Sequence, residues 1–178
     1  LKFGEHILAE TNAYEMHITE ESALDGLPEG AKEAARQLAE SKNMEGWLIT
    51  LDYPSYIPFM TYAKNRKLRK HLSIAFGSKG FKGNVNDNKD IVLKIANLRF
   101  QRAQLLGYKT HAHFVLEERM AETPEKVNNF LNELLEKAKP AAIQEFENLK
   151  AFAKDLDGIK ELQKWDSAYY LEKLKQKL

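Results

Sequence analysis

One stretch of this sequence restricts its fold more than any other. From Val127 to Leu156, apolar side chains recur three or four positions apart, which places them on one face of an α-helix. Thr123–Glu125 is a start signal, because it supplies a capping hydroxyl, a proline for the first turn and an acid near the positive end of the helix dipole. Asp157-Gly158 ends the run. The pattern predicts a long amphipathic helix, which Pro140 is expected to kink or divide. Its stripe consists of Val127, Phe130, Leu131, Leu134, Ala138, Ala142, Phe146, Leu149, Phe152 and Leu156.

Most of the remaining chain also has helical patterns. The 9 glycines and 5 prolines are too few turn formers for a many-turned β-sandwich or barrel. One short strand is indicated by the β-branched and aromatic run from Trp47 to Asp52. Tyr53-Pro54 and Ile57-Pro58 are expected to break the backbone, and a short capped turn ends at Gly26. The further predicted helices cover 1–14, 31–39, 55–63, 64–76, 90–106, 111–120 with Thr110 as cap, and a final helix near Trp165 and Tyr169-Tyr170 that continues to Leu178.

We therefore predict a mainly α, multi-helical fold with at most one short strand near 47–52. The length suits a single segment over residues 1–178, with a division into sub-lobes 1–63 and 64–178 left open. The first residue is Leu1 rather than methionine, and both ends fall within helical patterns. We expect a segment of a longer protein.

Composition removes several classes of function. With no cysteine, the chain has no disulfide framework, no thiolate nucleophile and no cysteine-ligated zinc. A net charge of +1 gives no overall attraction to nucleic acid or to an anionic membrane surface. No apolar run approaches the ~20 residues of a membrane span.

Two pairs of side chains resemble partial metal sites. His111 and His113 are two positions apart, which on a helix points them about 200° away from each other, so a packed or surface pair is favoured over a shared metal ion. His6 and Glu10 are four apart and share a helix face, but no third ligand is apparent, and a solvated contact is favoured.

The segment from Lys64 to Lys82 is the one local charge asymmetry, with seven basic residues and no acid. It could bind phosphates or carboxylates as a stand-alone helical binding module, or it could face the acidic first thirty residues. Gly77, Gly80 and Gly83 follow a helix rather than a strand, so they indicate a helix stop and a loop rather than a phosphate-binding loop. The basic residues are Lys64, Arg66, Lys67, Arg69, Lys70, Lys79 and Lys82.

No catalytic motif can be assembled from this sequence. It contains neither Gly-x-Ser-x-Gly nor His-Glu-x-x-His, and no Ser-His-Asp set is indicated. We therefore assign no catalytic, cofactor-binding or metal-ligating residue.

Two long blocks resemble a known family. One runs from Leu98 to Val127 and includes Leu-Leu-Gly-Tyr-Lys at 105–109 and Met-Ala-x-x-Pro-Glu-x-Val at 120–127. The other is Glu-x-x-Leu-x-x-Thr-Asn-Ala-Tyr at 5–14, together with Gly26-Leu27-Pro28 and Leu51-Asp52-x-Pro54. Both are similar to the thimet-oligopeptidase-like zinc metallopeptidases, family M3, and the subtype resembled most is the bacterial peptidyl-dipeptidase Dcp.

The resemblance implies a part that lies N-terminal to the zinc motif. In that family, His-Glu-x-x-His and a more distant glutamate hold the zinc ion, and none of them has a counterpart here. The resemblance implies a non-catalytic helical wall of the substrate cleft, inactive and without zinc when isolated. The parent is expected to be a zinc peptidyl-dipeptidase that releases C-terminal dipeptides from short peptides. Its expected partners are the remainder of the parent chain and those peptides, not nucleic acid or membrane. The cytoplasm is the default location, or the periplasm if a signal precedes the segment.

Overall fold

The computed structural model describes residues 1–177 and is mainly helical. Its described part contains eight α-helices, one 3-10 helix over Glu21–Leu24 and two short strands. The helices are α1 Lys2–Ala13, α2 Glu29–Ser41, α3 Tyr53–Tyr62, α4 Arg66–Gly77, α5 Lys89–Leu105, α6 His111–Leu116, α7 Pro124–Asp157 and α8 Ser167–Lys177, and the strands are β1 Met16–Ile18 and β2 Trp47–Ile49. The predicted mainly α class is confirmed, and so is the strand near 47–52. The predicted continuation of the last helix to Leu178 lies outside the described residues.

The helix starts follow the predicted capping chemistry. The Thr110 hydroxyl accepts a hydrogen bond from the His113 amide at 3.4 Å, and the Thr123 hydroxyl accepts one from the Lys126 amide at 3.2 Å. Asn65, which is not among the predicted caps, also caps α4 by accepting from the Leu68 amide at 3.2 Å. Each cap satisfies an amide that the first turn of a helix leaves without a partner.

The prolines interrupt less than predicted. α7 runs as one helix through Pro140, so of the two expected outcomes the division is wrong, and the kink stays a prediction. A helical proline removes one backbone hydrogen bond, but the surrounding residues are exposed, so water can satisfy the carbonyl that loses its partner. α3 likewise begins before Pro54, which a first turn tolerates, and contains Pro58.

A second strand was not predicted. β1 pairs antiparallel with β2, with Met16 opposite Ile49 and Ile18 opposite Trp47. Met-His-Ile is too short to show a strand pattern in the sequence. β1 forms because the backbone of β2 supplies hydrogen-bonding partners along its edge. The sheet buries Met16 and Ile18 beside Ile49.

The chain divides into two compact units. Unit 1 comprises Leu1–Asp87 and residues 148–177, and unit 2 comprises Asn88–Glu147. These boundaries differ from the sub-lobe boundary at 63/64 that the sequence left open. No helix of the described part is long and apolar enough to cross a membrane.

Unit 1 contains two hydrophobic clusters. In the larger, the β1–β2 sheet, α2, α3 and α4 bury a common core that includes Leu24, Leu51, Phe59 and Leu72. In the smaller, Leu149 and Ala153 of α7 pack with Tyr169 and Tyr170 of α8. Within unit 2, α5 packs against α6, where Tyr108 and Phe114 make an edge-to-face contact at 5.3 Å.

Candidate functional site

The two candidate metal pairs do not form metal sites. Among residues 1–177, no three histidine, aspartate or glutamate side chains are grouped so that they could hold a metal ion. His113 contacts Thr110 through Nδ1 at 2.7 Å, and its Nε2 is 3.9 Å from Glu125. His111 packs near the Phe114 ring, with its Nδ1 buried and without a hydrogen bond. Zinc, which the family resemblance implies, therefore does not fit the residues described here.

Glu10 is an anchor for a loop rather than a ligand. Its buried carboxylate accepts from the Gly80 amide and from Asn84 Nδ2, both at 2.8 Å, and Lys82 Nζ lies 3.3 Å away. Burial by itself raises the pKa of Glu10, but these hydrogen bonds and the Lys82 charge outweigh it and leave the pKa below its ordinary value. The carboxylate therefore stays ionised and ties α1 to the loop that follows α4.

Most of the charged side chains of the basic segment 64–82 contact partners within unit 1. Two ion pairs join it to the acidic N-terminal stretch, as the sequence allowed: Lys82 with Glu10, and Lys64 with Asp25 at 4.0 Å. Lys70 and Lys79 lie over aromatic rings, and both arginines pair with Asp166. This use of charge leaves little support for a polyanion-binding surface.

Asp166 forms the most deeply buried polar centre of the described chain. The side chain is fully buried and receives Arg66 through Nε at 2.9 Å and Nη2 at 2.7 Å, a bidentate pair. Arg69, 1% exposed, donates to the same carboxylate at 3.2 Å, and the Gln163 amide donates at 3.0 Å. The centre joins α4 to the turn that precedes α8.

The Arg69 guanidinium has several partners besides Asp166. Its guanidinium donates to the backbone carbonyls of Ala63 at 2.7 Å, Lys64 at 3.1 Å and Trp165 at 3.1 Å. It also lies 4.1 Å from the centre of the Tyr169 ring, a cation–π arrangement. A buried charge is tolerated only when it is paired and hydrogen-bonded, and Arg69 meets both conditions.

The charges around Asp166 determine its ionisation. Burial raises the pKa of Asp166, yet hydrogen bonds from Arg66 and the Gln163 amide, the Arg66 charge and the Arg69 hydrogen bond lower it further than burial raises it. The carboxylate is consequently ionised at neutral pH and has no free lone pair aimed at solvent. Nearby, Tyr170 donates to Asp157 at 2.8 Å, and burial together with that contact raises the Tyr170 pKa far above its ordinary value. These groups stabilise the fold and are not placed for acid–base chemistry.

Two grooves are among the concave surfaces of unit 1. A polar groove of about 520 Å³ is lined by Arg66, Lys70, Trp165 and the segment 158–163. An apolar groove of about 270 Å³ runs between α2 and the end of β2, with Leu27, Leu38 and Leu48 among its lining residues. In the apolar groove, Thr50 Oγ1 donates to Asp52 Oδ2 at 3.1 Å, a local contact between residues two positions apart. No histidine lines either groove, and we regard both as binding surfaces at most.

The sequence reasoning named Arg66 and Arg69 only as members of a basic segment and did not name Asp166. The partners are 100 and 97 positions apart, and no local pattern connects them. No sequence signal identifies this centre, because an aspartate directly before a helix is commonly an N-cap and does not indicate burial.

Comparison with known proteins shows the class to which this scaffold belongs. The family model described as Peptidase family M3 matches residues 59–178, about two thirds of the sequence. The chain therefore belongs to peptidase family M3, and the family part of the sequence-based prediction is confirmed.

Individual relatives refine this placement. Oligopeptidase A of Salmonella typhimurium is 42% identical over 181 residues, which covers 99% of this chain and 27% of that protein. Oligopeptidase A of Escherichia coli is 41% identical over the same length. Dipeptidyl carboxypeptidase of Escherichia coli is 28% identical over 98% of this chain and 26% of its own length. The chain thus spans about a quarter of these relatives, and the predicted similarity to the peptidyl-dipeptidase subtype above others is not confirmed.

Proposed function

We propose that this chain is a non-catalytic structural segment of a metallopeptidase that hydrolyses oligopeptides. The observation that carries the proposal is the 42% identity to an oligopeptidase A over 99% of the chain, together with the family M3 match. The proposal concerns the whole protein, because the segment corresponds to 27% of that relative.

The described residues support a structural role. The buried carboxylates of Glu10 and Asp166 are each saturated with donors, and the polar contacts join α1 to a loop and α4 to α8. Such networks fix the positions of helices, since breaking them leaves buried groups without partners. In the proposal, zinc and the groups that act with it belong to the parent protein outside residues 1–177, since no metal-binding group is found among these.

We propose further that unit 1 contributes a wall of the substrate cleft. The support is physical: its helices are fixed by buried ion pairs, and it presents one apolar and one polar groove. Extended peptides offer apolar side chains, backbone polar groups and a terminal carboxylate, and these grooves have the complementary chemistry. The proposed substrates are accordingly short, unfolded peptides, and the proposed location is the cytoplasm.

The subtype is best assigned by its products. A peptidyl-dipeptidase removes two residues at a time from the carboxyl end, whereas an oligopeptidase of general type cleaves inside the peptide. We favour the second, because the two oligopeptidase A relatives are 42% and 41% identical and the dipeptidyl carboxypeptidase is 28% identical.

The test uses the whole parent protein and peptides of about ten residues, with products identified by mass spectrometry. We expect internal cleavage that a metal chelator abolishes and that added zinc restores. Exclusive release of C-terminal dipeptides would assign the other subtype. No hydrolysis by the whole protein would contradict the peptidase proposal, and zinc-dependent hydrolysis by the 178-residue chain alone would contradict the non-catalytic role.

A further inference from the structure

Unit 2, which comprises residues 88–147, has almost no core. Asn88 and Ala103 are the buried residues of this range, and every residue from 128 to 147 is exposed. Isolated helices are marginal in water, and most helix stability in proteins comes from packing an apolar face. Apart from the contact of α5 with α6, α5 and residues 128–147 of α7 therefore lack the buried apolar contacts that normally stabilise helices of this kind.

Many of the exposed side chains of unit 2 are apolar. Fifteen large apolar residues in this range are each at least 37% exposed to solvent. Single exposed apolar residues are ordinary, but an extended set on neighbouring helical turns marks a contact surface. The set is Val92, Leu93, Ile95, Leu98, Phe100, Leu105, Leu106, Val115, Met120, Phe130, Leu131, Leu134, Leu135, Ile143 and Phe146.

α7 shows this exposed surface on a single helix within unit 2. Phe130, Leu131 and Leu134 belong to the predicted stripe and lie on one face, because positions three and four apart are neighbours on a helix. Their side chains are 60%, 53% and 48% exposed. An amphipathic helix normally buries such a face, whereas here the face is exposed to solvent.

We propose that the exposed faces of α5 and α7 pack against an apolar surface of the same parent protein, formed by polypeptide outside these 178 residues. The length comparison identifies this occupant: oligopeptidase A extends over almost four times the aligned segment, so nearly three quarters of such a protein is available to cover the faces. The inference rests on the proposed function only in taking the parent to be a longer protein of family M3. It does not require that the parent be active.

Hydrogen–deuterium exchange on the whole parent protein and on the isolated 178-residue chain tests the proposal. We expect exchange over 89–105 and 128–147 to be about a hundredfold slower in the whole protein, because covered helices open only by local unfolding. Equal exchange in the two proteins, fast or slow, would overturn the proposal. A dimer of the isolated chain whose helices are protected as strongly as in the whole protein would make a second copy the occupant, and it would overturn the proposal as well.

A pair of matched variants of the whole protein tests the face itself. Leu134→Glu places a charge on the stripe, and Asn129→Glu places the same charge about 140° away, on the side of the helix opposite the centre of the stripe. We expect Leu134→Glu to speed exchange over 128–147 by about tenfold and Asn129→Glu to leave it unchanged. If neither variant changes exchange, the stripe is not covered. Peptidase activity is measured separately, so an inactive parent with protected helices would contradict the proposed function but not this packing.

Discussion

Replacement of Asp166 by asparagine is the most direct test of the centre that joins α4 to α8. The substitution keeps the shape of the side chain but removes the negative charge between Arg66 and Arg69. Arg69 is 1% exposed, so its charge would be left in the interior without an anionic partner. Removing one member of a buried ion pair typically costs about 3–5 kcal/mol of stability.

The structure places the expected cost at the lower end of that range. Arg69 retains three backbone carbonyl acceptors and the Tyr169 ring, and Arg66 is 41% exposed and can turn toward water. We therefore expect Asp166→Asn to lower the free energy of unfolding by about 3 kcal/mol. For a chain of this length, that corresponds to a fall in the melting temperature of roughly 6–12 °C.

The assay is urea unfolding followed by the intrinsic fluorescence of Trp47 and Trp165, the second of which directly precedes the altered residue. The matched control is Glu33→Gln, which removes the exposed carboxylate that pairs with Arg36 on α2, and we expect it to leave the unfolding midpoint nearly unchanged. An Asp166→Asn protein within 1 kcal/mol of the wild type, on the same assay, would refute the claim that this carboxylate holds Arg69 in the core.

The same variant has a predicted pH dependence. The folded-state pKa of Asp166 lies below its unfolded value of about 3.9, so near that pH the unfolded chain binds more protons than the folded one. The stability that Asp166 supplies is therefore fully present above about pH 4 and is lost as the pH falls through the folded-state pKa. The difference between wild type and Asp166→Asn should shrink on acidification below pH 4, and a difference that grows would contradict the assigned direction.

Three further substitutions, two of them paired with a control substitution, test local features. Glu10→Gln should cost about 1.5 kcal/mol and speed amide exchange at Gly80, because its charged hydrogen bonds are lost; unchanged exchange there would argue against the anchor. Gly26→Ala should cost more than about 2 kcal/mol in urea unfolding, since φ is +92° and the new Cβ would lie 2.3 Å from the Tyr62 carbonyl oxygen. The control Gly30→Ala in α2 places its Cβ near no other atom and should stabilise the chain by roughly 0.5–1 kcal/mol. Equal effects of the two substitutions would contradict the strain assigned to Gly26. Asn65→Ala should cost about 1 kcal/mol through the lost cap, and Asn65→Asp should retain most of it.

The helices could be predicted because their signals are local. The caps at Thr110 and Thr123 and the stop at Gly77 act within a few residues, so the sequence alone indicates them. The same locality explains the errors. Whether Pro140 divides α7 depends on whether its carbonyl partner reaches water, and whether β1 forms depends on an edge that lies thirty residues downstream.

The polar centres could not be predicted, because their partners are distant in sequence. Glu10 meets Gly80 and Asn84 across 70 and 74 positions, and Asp166 meets Arg66 across 100. Helical spacing relates residues three and four apart, and it assigned Glu10 a relation to His6 for that reason. Only the folded backbone shows that the carboxylate is used elsewhere.

The two units differ in whether their charged and apolar side chains find partners within the unit. In unit 1, the buried charges of Glu10, Arg69 and Asp166 have partners within the unit, so the cost of their burial is offset locally. In unit 2, the helical pattern that predicts α5 and α7 also predicts an apolar face for each, and the described chain leaves those faces in water. An amphipathic pattern specifies that a face will be buried without specifying against what. The apolar stripe therefore correctly predicts that α7 is a helix, and the exposed part of the stripe indicates that another apolar surface packs against it.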